Sequence, residues 1–238
     1  MSGLLDALLR VHLACDVGAT VAFWVAAGSR KGRRVHRGAG RWFMRFVYGA
    51  AFSGFVLAVT GLWSPQLVRP LAADLPPADR AEVLTAARQS MWLVLYILVI
   101  LVGPVHHGLS VIRAGRSPSV VRSAAHTVIA VLAIGGSVAM FAASVRWEEW
   151  TYLVIAPIGL VIGVRHLAYR MRPSATATEW RREHLTSLLT AGIVLHTALF
   201  VFGGSRTLGL SLEGPAEFVP WVLPTLVGLP AILVLRRS

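Results

Sequence analysis

Seven predominantly apolar runs, each near the length of a membrane span, dominate this chain: residues 8–28, 43–63, 91–112, 123–145, 150–170, 184–203 and 218–235. A helix needs about 20 such residues to cross the hydrocarbon core. Within lipid every backbone N–H and C=O must be satisfied inside its own segment, so runs of this kind fold as helices. The expected fold class is all-α, a seven-transmembrane-helix bundle in a single integral membrane domain covering residues 1–238. Composition agrees, with 55% hydrophobic and only 14% charged residues, where a soluble domain carries about a quarter charged residues. A soluble globular enzyme is excluded on that ground. The first run lacks a basic leading segment, and Asp6 and Asp16 flank and interrupt it, so it reads as a helix rather than a signal peptide.

Orientation follows from the basic residues. The net charge is +12, and Lys31 is the only lysine. Arg30, Lys31, Arg33, Arg34, Arg37, Arg41 and Arg45 crowd the first connection, followed by Arg113, Arg116 and Arg122 in the third. Arg165, Arg170, Arg172, Arg181 and Arg182 occupy the fifth, and Arg236 and Arg237 close the chain. Seven alternating spans put all these residues on one side, leaving Arg10, Arg69, Arg80, Arg88, Arg146 and Arg206 on the other. The positive-inside rule then gives N-terminus out and C-terminus in, as expected for a multi-pass protein of the inner (cytoplasmic) membrane. Trp63, Trp92, Trp147, Trp150 and Trp221 fall at outer ends, and Trp42 and Trp180 near inner ones, as interfacial anchors do. Basic clusters between apolar runs suit anionic headgroups at the cytoplasmic face; no soluble basic face is left for nucleic acid. Cys15 stands alone, so the chain forms no internal disulfide and carries no cysteine metal motif. In the outer connection 64–90, Pro76–Pro77 followed by Asp79, Arg80 and Glu82 predicts a helix start running into the third span.

Three segments carry a resemblance. Residues 31–43 read Lys-Gly-Arg-Arg-Val-His-Arg-Gly-Ala-Gly-Arg-Trp-Phe, residues 180–185 Trp-Arg-Arg-Glu-His-Leu, and residues 221–225 Trp-Val-Leu-Pro-Thr, with Gly228 beyond. The first resembles the K-G-x-x-x-H-R-x-x-G-R turn before the second span of a widespread bacterial family of multi-pass membrane proteins, a domain of unknown function. The others are similar to that family's W-x-x-x-H and W-x-x-P-T patterns in the sixth and last spans. The family's sixth span is usually more polar than the one around His196. The resemblance implies the multi-span architecture and no activity.

Ionisable residues inside spans mark the candidate sites. Asp16 lies about eight residues, or about 12 Å, from the outer end of the first span. His12 is one turn earlier on the same helical face. His196 counts to a similar depth in the sixth span, so His12, Asp16 and His196 are expected to form one polar site and are candidate cofactor-binding residues. The alternative is local bonding, Asp16 to backbone or Thr20 and each histidine to a hydroxyl. A second group, His106, His107, His126, His166 and His184, lies toward the inner side, where Pro104 interrupts the helical hydrogen bonding beside two imidazoles. His107, His126 and His166 are candidate cofactor ligands; interfacial histidines in contact with water and headgroups are the plainer account. Arg33, Arg34, His36, Arg37 and Arg41 form either an anionic-lipid site or a topogenic turn.

Some chemistry is excluded. No span contains lysine for a retinal Schiff base, and the chain holds no H-E-x-x-H, G-x-S-x-G or Walker sequence. The last span contains no histidine. Three functions compete. One is a His-lined haem- or metal-binding redox protein. The others are a proton-coupled small-solute transporter and a non-catalytic assembly or lipid-interacting protein.

Overall fold

A computed structural model describes residues 2–115, 121–203, 216 and 218–235. Among these residues the chain is helical, without strands. The helices are α1 (Ser2–Gly28), α2 (Arg34–Trp63), α3 (Pro65–Val68), α4 (Pro77–Ala114), α5 (Ala124–Trp147), α6 (Trp150–Arg170), α7 (Ala177–Ala198) and α8 (Val219–Leu235). A 3-10 turn covers Pro70–Asp74, and a π-helical turn, Leu199–Gly203, continues α7. Six helices are long and apolar enough to cross a membrane, and the shorter Val219–Leu235 is also apolar. This is the architecture of a multi-pass membrane protein. Arg116, Arg206, Arg236 and Arg237 lie outside the described residues.

Large apolar side chains point outward along these helices. Phe52 is 70% exposed and Val138 64%, a pattern that suits lipid rather than water as the outer solvent. Small and polar residues turn inward instead, with Ser53, Ala58, Ala130, Ala133 and Ser137 all buried. Membrane helices associate through close backbone approach and interhelical hydrogen bonds, because lipid supplies no hydrophobic drive between them.

Two compact units divide the chain, Met1–Leu98 and Val99–Ser238. In the first, α1 lies along α2. A Cβ on Gly49 would stand 2.9 Å from the Cys15 sulfur, and one on Gly18 2.8 Å from the Phe46 ring. The turn between them bends at Gly32, whose φ of +76° is accessible to glycine at little cost. Lys31 Nζ donates to the Ala27 carbonyl at 2.7 Å, and His36 Nδ1 donates to the Ala26 carbonyl at 3.0 Å. Two residues of the basic turn thus tie off the last carbonyls of α1. Arg33, Arg34, Arg37 and Arg41 are exposed beside them. The connection between the two helices is shorter than the apolar pattern suggested, because α2 begins at Arg34 and carries Arg37, Arg41 and Arg45 on its first turns.

The start expected near Pro76–Pro77 is present, since α4 opens at Pro77 and runs without interruption through Pro104 to Ala114. Arg80 secures the 3-10 turn ahead of it, donating to the Ala72 and Ala73 carbonyls.

In the second unit α5 and α6 cross backbone against backbone. A Cβ on Gly163 would stand 2.6 Å from the Ala130 carbonyl oxygen. The C-terminal end of α4 meets α7 where Gly108 leaves room for Leu188 and Ser187. There the His184 Nδ1–H donates to the Gly108 carbonyl at 2.9 Å. Val111, Val121, Tyr169 and Ala175, with Trp180 against them, form an apolar cluster at this end.

Candidate functional site

Four helical segments of the second unit bring three histidines, a glutamate and an arginine together. On α4, Ile100, Gly103, His107 and Val111 recur at helical spacing and all are buried, so one face turns His107 inward. His126 is the third residue of α5; Ser123 caps that helix by accepting the His126 backbone N–H at 3.4 Å. On α6 the buried face runs Ile162, His166 and Tyr169. Thr176 and Glu179 open α7 with a reciprocal capping box, and Glu183 follows one turn later. Gly103 leaves space for the His166 ring; a Cβ there would touch Ile129, Ile162 and His166 at 3.4–3.9 Å.

The hydrogen bonds form a chain. Arg165 Nη2 donates to both carboxylate oxygens of Glu183 at 3.0 Å. His107 Nε2 lies 3.1 Å from Glu183 Oε1, and His107 Nδ1 lies 2.7 Å from His126 Nε2. The protonation pattern follows from the partners. A carboxylate held by a guanidinium accepts only, so His107 Nε2–H donates to it. Nδ1 of a neutral His107 is then an acceptor, and His126 Nε2–H donates to it. That leaves His126 Nδ1 as a bare lone pair, buried and without a hydrogen-bond partner. The opposite assignment would make the same atom a buried N–H with no acceptor, an orphan that costs about 1–3 kcal/mol.

The rings pack closely around this chain. His166 stacks on His107 with centroids 4.0 Å apart and planes 17° from parallel, and Tyr169 meets His107 edge-on. His106, half-buried, has its ring 5.6 Å from that of His126. His107, His126 and His166 are exposed by 0%, 2% and 4% respectively. Burial this deep replaces the interfacial reading for these three.

Geometry also decides what this arrangement holds. A metal shared by two imidazoles stands about 2 Å from each nitrogen, keeping the two about 4 Å apart. At 2.7 Å the His107–His126 contact holds a proton instead. Stacking leaves the in-plane lone pairs of His166 and His107 side by side rather than convergent. Among the described residues no group of three or more His, Cys, Asp or Glu is disposed to hold a metal ion. His126 Nδ1 is the nitrogen of the linked pair left for an incoming ligand.

His12 and Asp16 fall in one unit and His196 in the other. In the first, His12 Nδ1 lies 3.0 Å from the Ala50 carbonyl and 3.2 Å from Ser53 Oγ. A carbonyl only accepts, so Nδ1 carries a proton. His12 Nε2 stands 3.3 Å from Asp16 Oδ2, and that contact holds one further proton shared by the pair. Thr20 Oγ1 donates to the backbone carbonyl of Asp16 at 2.9 Å, which leaves the carboxyl to His12. His196 belongs to the second unit, where its Nδ1–H donates to the Gly192 carbonyl of its own helix at 2.7 Å. In Asp16→Asn the new amide N–H donates to His12 Nε2. Nitrogen-15 NMR of the labelled protein in bilayers is expected to show a neutral His12 with its proton on Nδ1. A doubly protonated ring in the variant contradicts this assignment.

Glu183 and Arg165 are the two members of the chain that sequence reasoning passed over. Arg165 stands there only as one of the basic residues of the fifth connection and Glu183 only within the Trp180–Leu185 segment, although an acid one residue before an apolar run is the same kind of signal as Asp16. Comparison with family models, with curated proteins and with solved structures gives no match.

Proposed function

We propose that this multi-pass protein takes up and releases protons at the Glu183–His107–His126 chain, anchored by Arg165, and couples them to movement of a small solute. One observation carries the reading: a continuous hydrogen-bond chain, buried at its histidines, ends in a free lone pair at His126 Nδ1. A proton arriving there forms the N–H bond at Nδ1. The Nε2 proton of His126 passes to His107 Nδ1, and His107 becomes an imidazolium beside the Glu183 carboxylate. The charge therefore comes to rest next to its counter-ion, which lowers the cost of holding it inside the membrane. Departure of a proton reverses the sequence.

The same proposal takes the six long helices with Val219–Leu235 as seven spans in a bacterial inner membrane, N-terminus out and C-terminus in. The unequal division of basic residues between alternate connections supports it. The three sequence patterns noted above support membership in the bacterial family they resemble.

A pH jump applied to the protein on a solid-supported membrane tests the proton reading. The wild type is expected to give a transient charge displacement, and His126→Phe to lose most of it. Equal displacement in both proteins overturns the reading. The redox alternative, haem or metal among His107, His126 and His166, draws on the same free nitrogen as an unused donor. A Soret band in gently purified protein would favour it.

A further inference from the structure

Beyond the histidine chain, an open cleft of about 300 Å³ is lined by Arg122, Arg170 and Met171. That volume is at the lower end of the roughly 300–1,000 Å³ typical of ligand sites, the scale of a headgroup or small ion. Both guanidinium groups are held in place by backbone. Arg122 Nη2 donates to the Arg172 carbonyl at 3.1 Å, and Arg170 Nη2 donates to the Arg122 carbonyl at 3.3 Å. Each guanidinium offers five N–H donors, so most remain for a ligand. The described arginine–carboxylate ion pairs join Arg165 to Glu183 and Arg172 to Glu179; among the described residues neither Arg122 nor Arg170 has a carboxylate neutralising it. Met171, 78% exposed, adds an apolar side chain at the rim.

We propose that Arg122 and Arg170 clamp a phosphate group. The planar guanidinium fork matches phosphate oxygens with paired charge-assisted hydrogen bonds. Bracing by backbone carbonyls fixes the two forks in advance, which reduces the ordering cost of binding. The phosphate comes either from the headgroup of an anionic lipid, with Met171 against its glycerol and acyl region, or from a free phosphate in the aqueous phase. The cleft belongs to the second unit and the basic turn at residues 30–45 to the first. The clamp does not depend on the proton reading.

Thermal unfolding in maltoside micelles at matched ionic strength provides the test, with inorganic phosphate and phosphatidylglycerol as the two probes. The wild type is expected to be stabilised in a saturable manner by at least one of them. Stabilisation by phosphatidylglycerol alone assigns the group to a lipid, and stabilisation by inorganic phosphate assigns it to a free anion. Arg122→Gln with Arg170→Gln should weaken apparent affinity by about tenfold or more, as expected for losing charge-assisted contacts. Met171→Glu keeps both arginines and their backbone bonds but places a carboxylate at the rim, and should weaken binding similarly. It also serves where the double variant fails to fold. Arg33→Gln with Arg34→Gln and Arg37→Gln should retain the response. No saturable stabilisation by either probe, full affinity in Met171→Glu, or loss of the response in the basic-turn variant each overturns the proposal.

Discussion

Glu183→Leu is expected to destabilise the protein by about 3 kcal/mol, and adding Arg165→Leu to recover a substantial part of that loss. Removing one member of a buried ion pair leaves the other charge without compensation, whereas removing both leaves an apolar contact. The Glu183 side chain is 14% exposed and that of Arg165 36%, which places the single-variant effect at the low end of the range for buried pairs. Recovery stays incomplete because His107 Nε2–H also loses its acceptor, and an unsatisfied buried donor costs about 1–3 kcal/mol. Reversible unfolding in mixed micelles of the wild type, both single variants and the double variant measures the coupling. Costs that simply add would mean that Arg165 and Glu183 act independently, and the chain would lose its anchoring charge.

The helical architecture was legible because length and hydropathy are local properties. Each of the six long helices covers one of the apolar runs to within a residue, α7 together with the π-helical turn that continues it, and the Pro77 start follows from proline being acceptable in the first turn and disruptive later. Helix ends were less legible. Apolar length reports only the portion in hydrocarbon, while α2 begins nine residues before its run and α7 seven before its own, the latter at a capping box. In the site, His107, His126 and His166 were named, yet the chain linking them was not. Counting residues along a helix gives depth but no azimuth, so it could not reveal that His107 faces His126. The same limit applies to His196: its depth was counted, but depth supplies no neighbour, and its Nδ1 turns to the Gly192 carbonyl one turn back. Glu183 was obscured by its surroundings, since an acid flanked by Arg181, Arg182 and His184 reads as part of a charged turn until α6 brings Arg165 against it.

Gly163→Ala should destabilise the second unit by about 1–3 kcal/mol, while Gly135→Ala on the neighbouring helix should be neutral or stabilising by up to about 1 kcal/mol. The substitutions are identical and only their surroundings differ. A Cβ at Gly163 would stand 2.6 Å from the Ala130 carbonyl oxygen and 2.6 Å from Ile134 Cγ1, whereas one at Gly135 meets nothing within 4 Å. Backbone cannot rotate away as a side chain can, so the first variant must push α5 and α6 apart. Those helices carry His126 on one side and Arg165 and His166 on the other. Their separation should therefore loosen the His107–His126 contact, since His107 is joined to α5 through His126 and to α6 through the stacked His166 ring. Nitrogen-15 spectra of the histidines should change in Gly163→Ala and remain as in the wild type in Gly135→Ala. Unfolding midpoints for the two variants measure the sign of each effect directly. Equal midpoints would mean that the α5–α6 crossing does not require glycine, and that the histidine chain is held by its own hydrogen bonds rather than by the close approach of its helices.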